Sequence, residues 1–201
     1  SFVLLPSGDD EMPRDTIEEV IVRRGSTRQF SREAISFAQL STILERAGRG
    51  IAADFVSSGT ALNDFYLIVN EVEDLPAGAY FYNRGKSSLE LLKAGDFRKE
   101  AGYLGLGQAI PADCSVNIYF LTDLDRVLQT YGNRGYRVAQ LDAGIPGGKV
   151  YLAAYAQHLG ASGLTFLDED VVEFFSPHAA GRSVMFLVAV GKSAKRRDRV
   201  S

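Results

Sequence analysis

The residues best suited to chemistry in this chain lie in the stretch "RRGSTR", residues 23–28, which holds three arginines, a serine and a threonine. Arg24, Ser26 and Arg28 alternate, so their side chains point to the same side if the backbone is extended there. Guanidinium groups bind a phosphate monoester through paired N–H donors, and a serine hydroxyl can add another hydrogen bond. The spacing therefore indicates a phosphate site, although short basic stretches are also common on solvated surfaces.

The composition limits the classes of function that such a site can serve. The 201 residues are 46% hydrophobic and carry a formal net charge of −3. This predicts a single domain over residues 1–201, with short tails of which the C-terminal one is basic. A net acidic protein has no general electrostatic attraction for nucleic acid, so we expect no nucleic-acid partner.

Cysteine usage and hydropathy indicate the compartment. Cys114 is the only cysteine, and no His or Cys cluster has metal-ligand spacing, which predicts neither an internal disulfide nor a bound metal. No apolar run reaches the roughly 20 residues needed to cross a bilayer, so we expect no membrane partner and a cytoplasmic location. The chain starts at Ser1 without a methionine, which is compatible with one half of a longer protein.

Two helices are predicted on either side of the arginine stretch. "TIEEVIVRR" and "SFAQLSTILERAGRG" both start with the spacing of a capping box, Thr16 with Glu19 and Ser36 with Gln39. The first helix should end near Gly25, so that the arginines follow directly after it. The arginine stretch should therefore connect two helices.

The rest of the chain predicts an α+β fold. "FYLIVNEV", "SVNIYFLTDL" and "SVMFLVAVG" are typical of buried strands, and "GAYFYNRGKSSLELL" of a hairpin whose turn uses a positive φ at Gly85. A long apolar helix should be broken or kinked near Pro146, and Asp168 should cap a last short helix. Because the strands do not alternate strictly with helices, we expect a mostly antiparallel central sheet packed by helices.

Other motifs in the chain do not carry a function by themselves. "GYLGLG" has its glycines in the reverse order of a dinucleotide-binding loop, and "GIPGGKV" is one residue short of a phosphate loop. His158 and His178 have no neighbouring nucleophile pattern, and the chain lacks the GxSxG elbow of a serine hydrolase. The arginine stretch therefore remains the leading candidate for a site.

A series of short motifs, taken in their order along the chain, points to a known family. The series is "RRGSTRQF", "SSGT" running into "FYLIV", "LPAGAYFYN" with "SLELLKAGD", "TYGNRGYRVAQLDAG", "YLAAYAQHLGASGLT" and a closing "LVAVG" with basic residues beyond it. It resembles the FMN-dependent nitroreductase family, and within it the SagB-type dehydrogenase branch, whose members include azoline oxidases of peptide biosynthesis. The likeness runs from about Arg23 to Arg197.

This resemblance implies a nitroreductase-like homodimer with FMN at sites between the subunits. Arg24 and Ser26 match the residues that hold the flavin phosphate, and Arg28 the residue at the ribityl or pyrimidine edge. The basic tail matches residues that return to the phosphate, here Lys195, Arg196 and Arg197.

The flavin ring is implied to meet two further segments. Ser57 and Ser58 match a proline–serine loop that lies beside the ring, with Val56 in place of the proline. Gly163 and Leu164 match the segment whose backbone meets the N5 and O4 side of the ring. A flavin carries the hydride chemistry itself, so the lack of a catalytic dyad in this sequence agrees with such an enzyme.

The implied activity is a two-step, ping-pong oxidoreduction of a small organic or peptidic substrate, with NAD(P)H as a possible electron donor. Tyr131 is the candidate catalytic residue, as a proton donor, although a tyrosine between helices commonly packs with its hydroxyl satisfied. Thr130 replaces the lysine that precedes this tyrosine in the SagB-type branch. The alternative hypotheses are a degenerate member of the fold that binds or scaffolds without turnover, and an anion- or nucleic-acid-binding accessory protein.

Overall fold

The computed structural model of the protein describes residues 1–50, 53–54 and 61–194. Seven strands in this part of the chain form one sheet in the order β1-β4-β3-β2-β5-β7-β6, with every neighbouring pair antiparallel. The α+β class with an antiparallel sheet is thereby confirmed. The strands are β1 (Phe2–Val3), β2 (Asn63–Val69), β3 (Gly78–Asn83), β4 (Ser88–Ala94), β5 (Val116–Thr122), β6 (Gly160–Leu164) and β7 (Ser183–Gly191).

Seven α-helices accompany the sheet over the same described residues. Both predicted capping boxes are present, since the Thr16 and Ser36 hydroxyls accept the N–H groups of Glu19 and Gln39. None of the described helices is long and apolar enough to span a bilayer. The helices are α1 (Ile17–Arg23), α2 (Phe37–Gly48), α3 (Arg98–Leu104), α4 (Ala109–Asp113), α5 (Leu124–Tyr131), α6 (Gly135–Ala156) and α7 (Asp168–Phe175).

The sheet separates two hydrophobic layers. One face of the central strands, with Phe65 and Phe120 in edge-to-face contact at 4.8 Å, packs against α2 and α6. The other face, with Tyr66 and Tyr119, packs against Phe175 of α7. Burying such a ring fully stabilises the fold by about 2–3 kcal/mol. The rings on both faces therefore hold the central strands in place, and with them the ends of β5 and β7.

Helix α6 is continuous through Pro146, so the predicted break was wrong, whereas the alternative of a kink there stays a prediction. Pro146 and Gly147 are both buried inside this 22-residue helix. A Cβ at Gly147 would lie 2.5 Å from the ring of Phe186, so the glycine allows α6 to approach β7. Proline removes one backbone hydrogen bond from the helix, and α6 nevertheless continues past it.

Two local predictions also require correction. In the β3–β4 hairpin the positive φ of 46° belongs to Ser87 and not to Gly85. Asp168 is the first residue of α7, whose N-cap is Leu167 without a side-chain hydrogen bond. The acidic side chain still lies in the first helical turn, where its negative charge interacts favourably with the positive end of the helix dipole.

Candidate functional site

The arginine segment, residues 24–31, follows α1 and begins with an extended backbone at Arg24. Arg24 has φ −62° and ψ 142°, and it is exposed together with Ser26 and Arg28. Thr27, between them, is buried. Thr27 is thus the one buried residue in the stretch 23–29, and the common direction of the Arg24, Ser26 and Arg28 side chains stays a prediction.

Two backbone contacts fix this segment against the sheet. The N–H of Thr27 donates to the carbonyl of Ala161 in edge strand β6 at 2.9 Å. The N–H of Ser31 donates to the carbonyl of Lys192, just after β7, at 3.0 Å. Strand β6 and the residue after β7 thus fix the backbone position of the arginine segment.

The side chain of Thr27 anchors the segment from beneath, a role that the sequence analysis missed. Its hydroxyl lies 3.2 Å from the hydroxyl of Tyr155 and 3.4 Å from that of Ser193. Tyr155 donates in turn to the carbonyl of Gly25 at 3.0 Å. A Cβ at Gly160 would overlap the Thr27 hydroxyl, so this close approach requires glycine in β6.

Arg23 has a different role from the two arginines that follow it. Its guanidinium donates to Asp15 at 2.7 Å and to the carbonyl of Tyr155 at 2.9 Å, which ties α1 to the end of α6. Within the described part of the chain, Arg24 and Arg28 form no such ion pair. These two cations therefore remain available for an anionic ligand.

Gly163 and Leu164 end edge strand β6 and are both half-buried. The N–H of Gly163 donates to the hydroxyl of Tyr151 on α6. One N–H makes one strong hydrogen bond, so a ligand atom at this position must displace the Tyr151 hydroxyl. Tyr151 is thus a second site residue that sequence reasoning missed, since only the tertiary contact reveals it.

Five of the predicted cofactor-binding residues fall outside the described residues. Ala194, the last described residue, donates its N–H to the carbonyl of Gln29 at 2.9 Å, so the described chain ends beside the arginine segment. The roles of these five residues stay predictions. They are Ser57, Ser58, Lys195, Arg196 and Arg197.

Tyr131 lies far from the arginine segment in the same protomer. It is half-buried at the end of α5 and lines a cavity of about 470 Å³ together with Thr130 and Arg182. Arg182 precedes β7, whereas Ser193 of the arginine site follows it. The nine residues of β7 span roughly 27 Å at about 3.4 Å per residue, so one protomer does not bring Tyr131 to Arg24.

The remaining candidate chemistry in the described residues is structural. Burial raises the pKa of the Cys114 thiol to about 12, so this residue is not a thiolate at neutral pH. Among the described residues no group of His, Cys, Asp and Glu could hold a metal ion. His178 lies 3.0 Å from the Tyr66 hydroxyl and packs against Phe81, which agrees with a packing role.

Comparison with known proteins extends over most of the chain. The sequence profile of the Nitroreductase family matches residues 21–192. MJ1384 of Methanocaldococcus jannaschii, provisionally named a nitroreductase, is 24% identical over 163 residues, covering 78% of this chain and 82% of the relative. The trifolitoxin operon protein TfxC of Rhizobium leguminosarum bv. trifolii is 28% identical over 150 residues, covering 63% of this chain and 42% of TfxC.

Solved structures share the fold. A structure from Anabaena variabilis, provisionally titled a nitroreductase, has a TM-score of 0.81 at 28% identity and covers 89% of this chain, which spans 38% of that longer chain. The Escherichia coli microcin synthetase McbBCD, bound to truncated pro-MccB17, has a TM-score of 0.69 at 17% identity, with 96% of this chain and 75% of the other covered. The profile match, spanning nearly the whole described sheet and both candidate sites, shows that this chain belongs to the nitroreductase family.

Proposed function

We propose that the protein is an FMN-dependent oxidoreductase that acts in two half-reactions on a small organic or peptidic substrate. Bound FMN would supply hydride acceptance and donation at N5, with a donor such as NAD(P)H in the first half-reaction. The nitroreductase family membership supports a flavin-dependent oxidoreductase. The residues of this chain have to bind the cofactor, orient it and supply protons.

The proposal rests on the exposure of Arg24 and Arg28 and on their lack of a described carboxylate partner. Both are exposed on a backbone held by β6 and by the segment after β7, and no described carboxylate neutralises either of them. Two guanidinium groups with Ser26 between them match the donor set that a phosphate monoester requires. The residues present therefore fit the phosphate end of FMN.

A homodimer is part of the proposal, because the arginine segment and Tyr131 lie at opposite ends of β7. The exposed residues of α6 include Leu141, Gly144 and Gly148, which share one face of the helix. Leu141 is 52% exposed, and the two glycines would let a second helix approach closely. Two α6 helices crossing antiparallel at these glycines would bring Tyr131 of the partner subunit toward the arginine segment.

The chain's own residues would then divide the work between binding and proton transfer. Arg24, Ser26 and Arg28 would hold the phosphate and the adjoining edge of the cofactor. Gly163 would present its backbone N–H to the ring once Tyr151 has moved. Tyr131 would donate the proton of its hydroxyl to the reduced acceptor, so the tyrosine oxygen would lose that proton in the second half-reaction and regain one from solvent.

A peptidic substrate and membership of the SagB-type branch are the finer parts of the proposal. TfxC belongs by its name to a trifolitoxin operon, and the microcin synthetase structure contains truncated pro-MccB17. Thr130 occupies the position of the branch's lysine, so we expect any peptide oxidation here to depend on Tyr131 and not on a lysine–tyrosine pair. Replacing Tyr131 by phenylalanine should slow such a reaction without weakening FMN binding.

Steady-state kinetics tests the function as a whole. With FMN, NADPH or NADH, and the neutral acceptor 4-nitrobenzamide, the two-step scheme predicts parallel lines in double-reciprocal plots at several acceptor concentrations. Intersecting lines would contradict a donor that leaves before the acceptor binds. The absence of turnover with bound FMN would instead favour the alternative below.

A second candidate function is a binding or scaffolding module that keeps the fold without turnover. It is favoured by one observation: the Gly163 N–H already donates to Tyr151, so the backbone donor expected at the ring is occupied. Thr130 in place of lysine points in the same direction. FMN that binds but is not reduced by either nicotinamide, while dithionite reduces it, would support this module.

A further inference from the structure

The cavity beside Tyr131 is large enough for a small organic molecule. Its volume is about 470 Å³, within the range of ligand-binding pockets. It lies where β2 begins, β5 ends and β7 begins, and α5 forms its outer wall. Leu62 and Val127 provide apolar contacts. The charged lining residues are Asp64, Asp123, Arg126 and Arg182.

Each of the two carboxylates that line this cavity has a partner. Asp64 has one carboxylate oxygen 2.6 Å from Arg182 Nη1 and the other 3.6 Å from Arg84 Nη1. Asp123 accepts the backbone N–H of Arg126 at 3.0 Å and so caps α5. The cavity is lined by two aspartates and two arginines, so its preference for a charged ligand depends on which of these groups still have free donors or acceptors.

The hydroxyl donors of the two threonines are also engaged. Thr122 donates to the carbonyl of Leu62 at 2.7 Å, and Thr130 donates to the carbonyl of Arg126 at 3.0 Å. In contrast, the Arg126 guanidinium forms no ion pair with any of the residues that the structure describes. Arg182 uses one guanidinium nitrogen for Asp64, and a guanidinium group has five N–H donors. The hydrogen-bonding capacity that remains is therefore rich in cationic donors.

We infer that this cavity binds an organic carboxylate, with Arg126 and Arg182 on the carboxylate and Leu62 and Val127 against the apolar remainder. Charge-assisted hydrogen bonds to guanidinium groups select an anion over a neutral isostere. Naming the ligand as the electron acceptor rests on the proposed function, because Tyr131 shares the cavity. Binding of the carboxylate itself requires only the cavity residues named above and not the proposed function.

The test compares 4-nitrobenzoate with 4-nitrobenzamide by calorimetry on the full chain, with and without FMN, at about 20 mM salt. The carboxylate should bind about tenfold more tightly than the amide, and added salt should reduce this preference. Arg126→Gln should lower the preference to about threefold or less. This exposed residue can be replaced without disturbing the core, whereas Arg182→Gln also breaks the pair with Asp64.

Arg14→Gln is the matched control, since this arginine is exposed and does not line the cavity. It should keep the full preference for the carboxylate. Equal affinity for the two probes, no binding of the carboxylate, or an unchanged preference in Arg126→Gln would overturn the inference. Carboxylate binding that persists in a protein unable to bind FMN or turn over would overturn the proposed function and support this inference.

Discussion

The two ends of β7 differ in how they use arginine. Near the Gly191 end of the strand, Arg24 and Arg28 are exposed without a described carboxylate partner. They lie on a segment that backbone hydrogen bonds hold in place. Before Ser183, Arg182 is paired with Asp64 in the wall of a cavity. The partners of an arginine, more than its residue type, therefore decide whether it is structural or available to a ligand.

The start of β2, beside the cavity, is held by the buried carboxylate of Asp142. Removing this carboxylate should have the largest effect on the free energy of unfolding. Asp142 is 2% exposed, and one of its oxygens accepts the N–H groups of Leu62 and Asn63 and the Asn63 side-chain amide at 2.8–3.0 Å. Asp142→Ala leaves these buried donors unpaired, so the free energy of unfolding should fall by about 3 kcal/mol in urea denaturation.

The control for this variant is Asp125→Ala, which removes the same charge from an exposed position on α5. Its free energy of unfolding should change by less than about 0.5 kcal/mol. A loss below about 1 kcal/mol in Asp142→Ala would show that the start of β2 is held by other contacts.

The arginine end should respond in ligand affinity and not in stability. Arg24→Ala removes a charge-assisted donor and should weaken FMN binding by about 1.5–3 kcal/mol, or roughly ten- to 150-fold, as measured by quenching of flavin fluorescence. Its free energy of unfolding should stay within about 0.5 kcal/mol of the parent. Arg14→Ala serves as the control and should leave the affinity unchanged. Unchanged affinity in Arg24→Ala would remove that residue from the site.

Tyr151 should compete with the proposed cofactor for a backbone donor of the site. Tyr151→Phe frees the Gly163 N–H, so FMN affinity should rise by up to about 1 kcal/mol, or roughly fivefold. Weaker binding would mean that the Tyr151 hydroxyl itself contacts the cofactor. Equilibrium dialysis with radiolabelled FMN would distinguish the two directions.

The smallest expected effect concerns the ion pair that holds α1. The Arg23 hydrogen bond lowers the pKa of Asp15 from its ordinary value of 3.8, so the pair stabilises the fold above that pH. This contribution should be lost as the pH falls through the lowered pKa. NMR titration should show the shift, and Arg23→Gln should return the pKa toward 3.8. An unchanged Asp15 pKa in that variant would contradict the assignment.

Local signals allowed much of the fold to be predicted from the sequence. Capping boxes at Thr16 and Ser36 depend on residues three apart, and both are present. The antiparallel sheet followed from apolar runs that do not alternate with helices. The arginine segment was identified because Arg24, Ser26 and Arg28 are neighbours in the chain, and their exposure agrees with a binding role.

The parts that could not be predicted depend on tertiary contacts. Pro146 and Gly147 are usual helix breakers, yet α6 continues through both, with Gly147 close to the ring of Phe186. Tyr151 reaches Gly163 across twelve residues, and Tyr155 reaches Thr27 across 128. No sequence pattern gives those distances, and the separation of Tyr131 from the arginine segment likewise emerges only from the order of strands.

Equilibrium binding of FMN to the purified full chain shows whether the arginine segment holds the cofactor. We expect a yellow complex of one flavin per chain after ultrafiltration, with visible absorption that dithionite bleaches. The double variant Arg24→Ala, Arg28→Ala should emerge from the same procedure with most of its flavin lost. A colourless wild-type chain at saturating FMN, or a double variant that retains the flavin fully, would rule out flavin binding through these arginines.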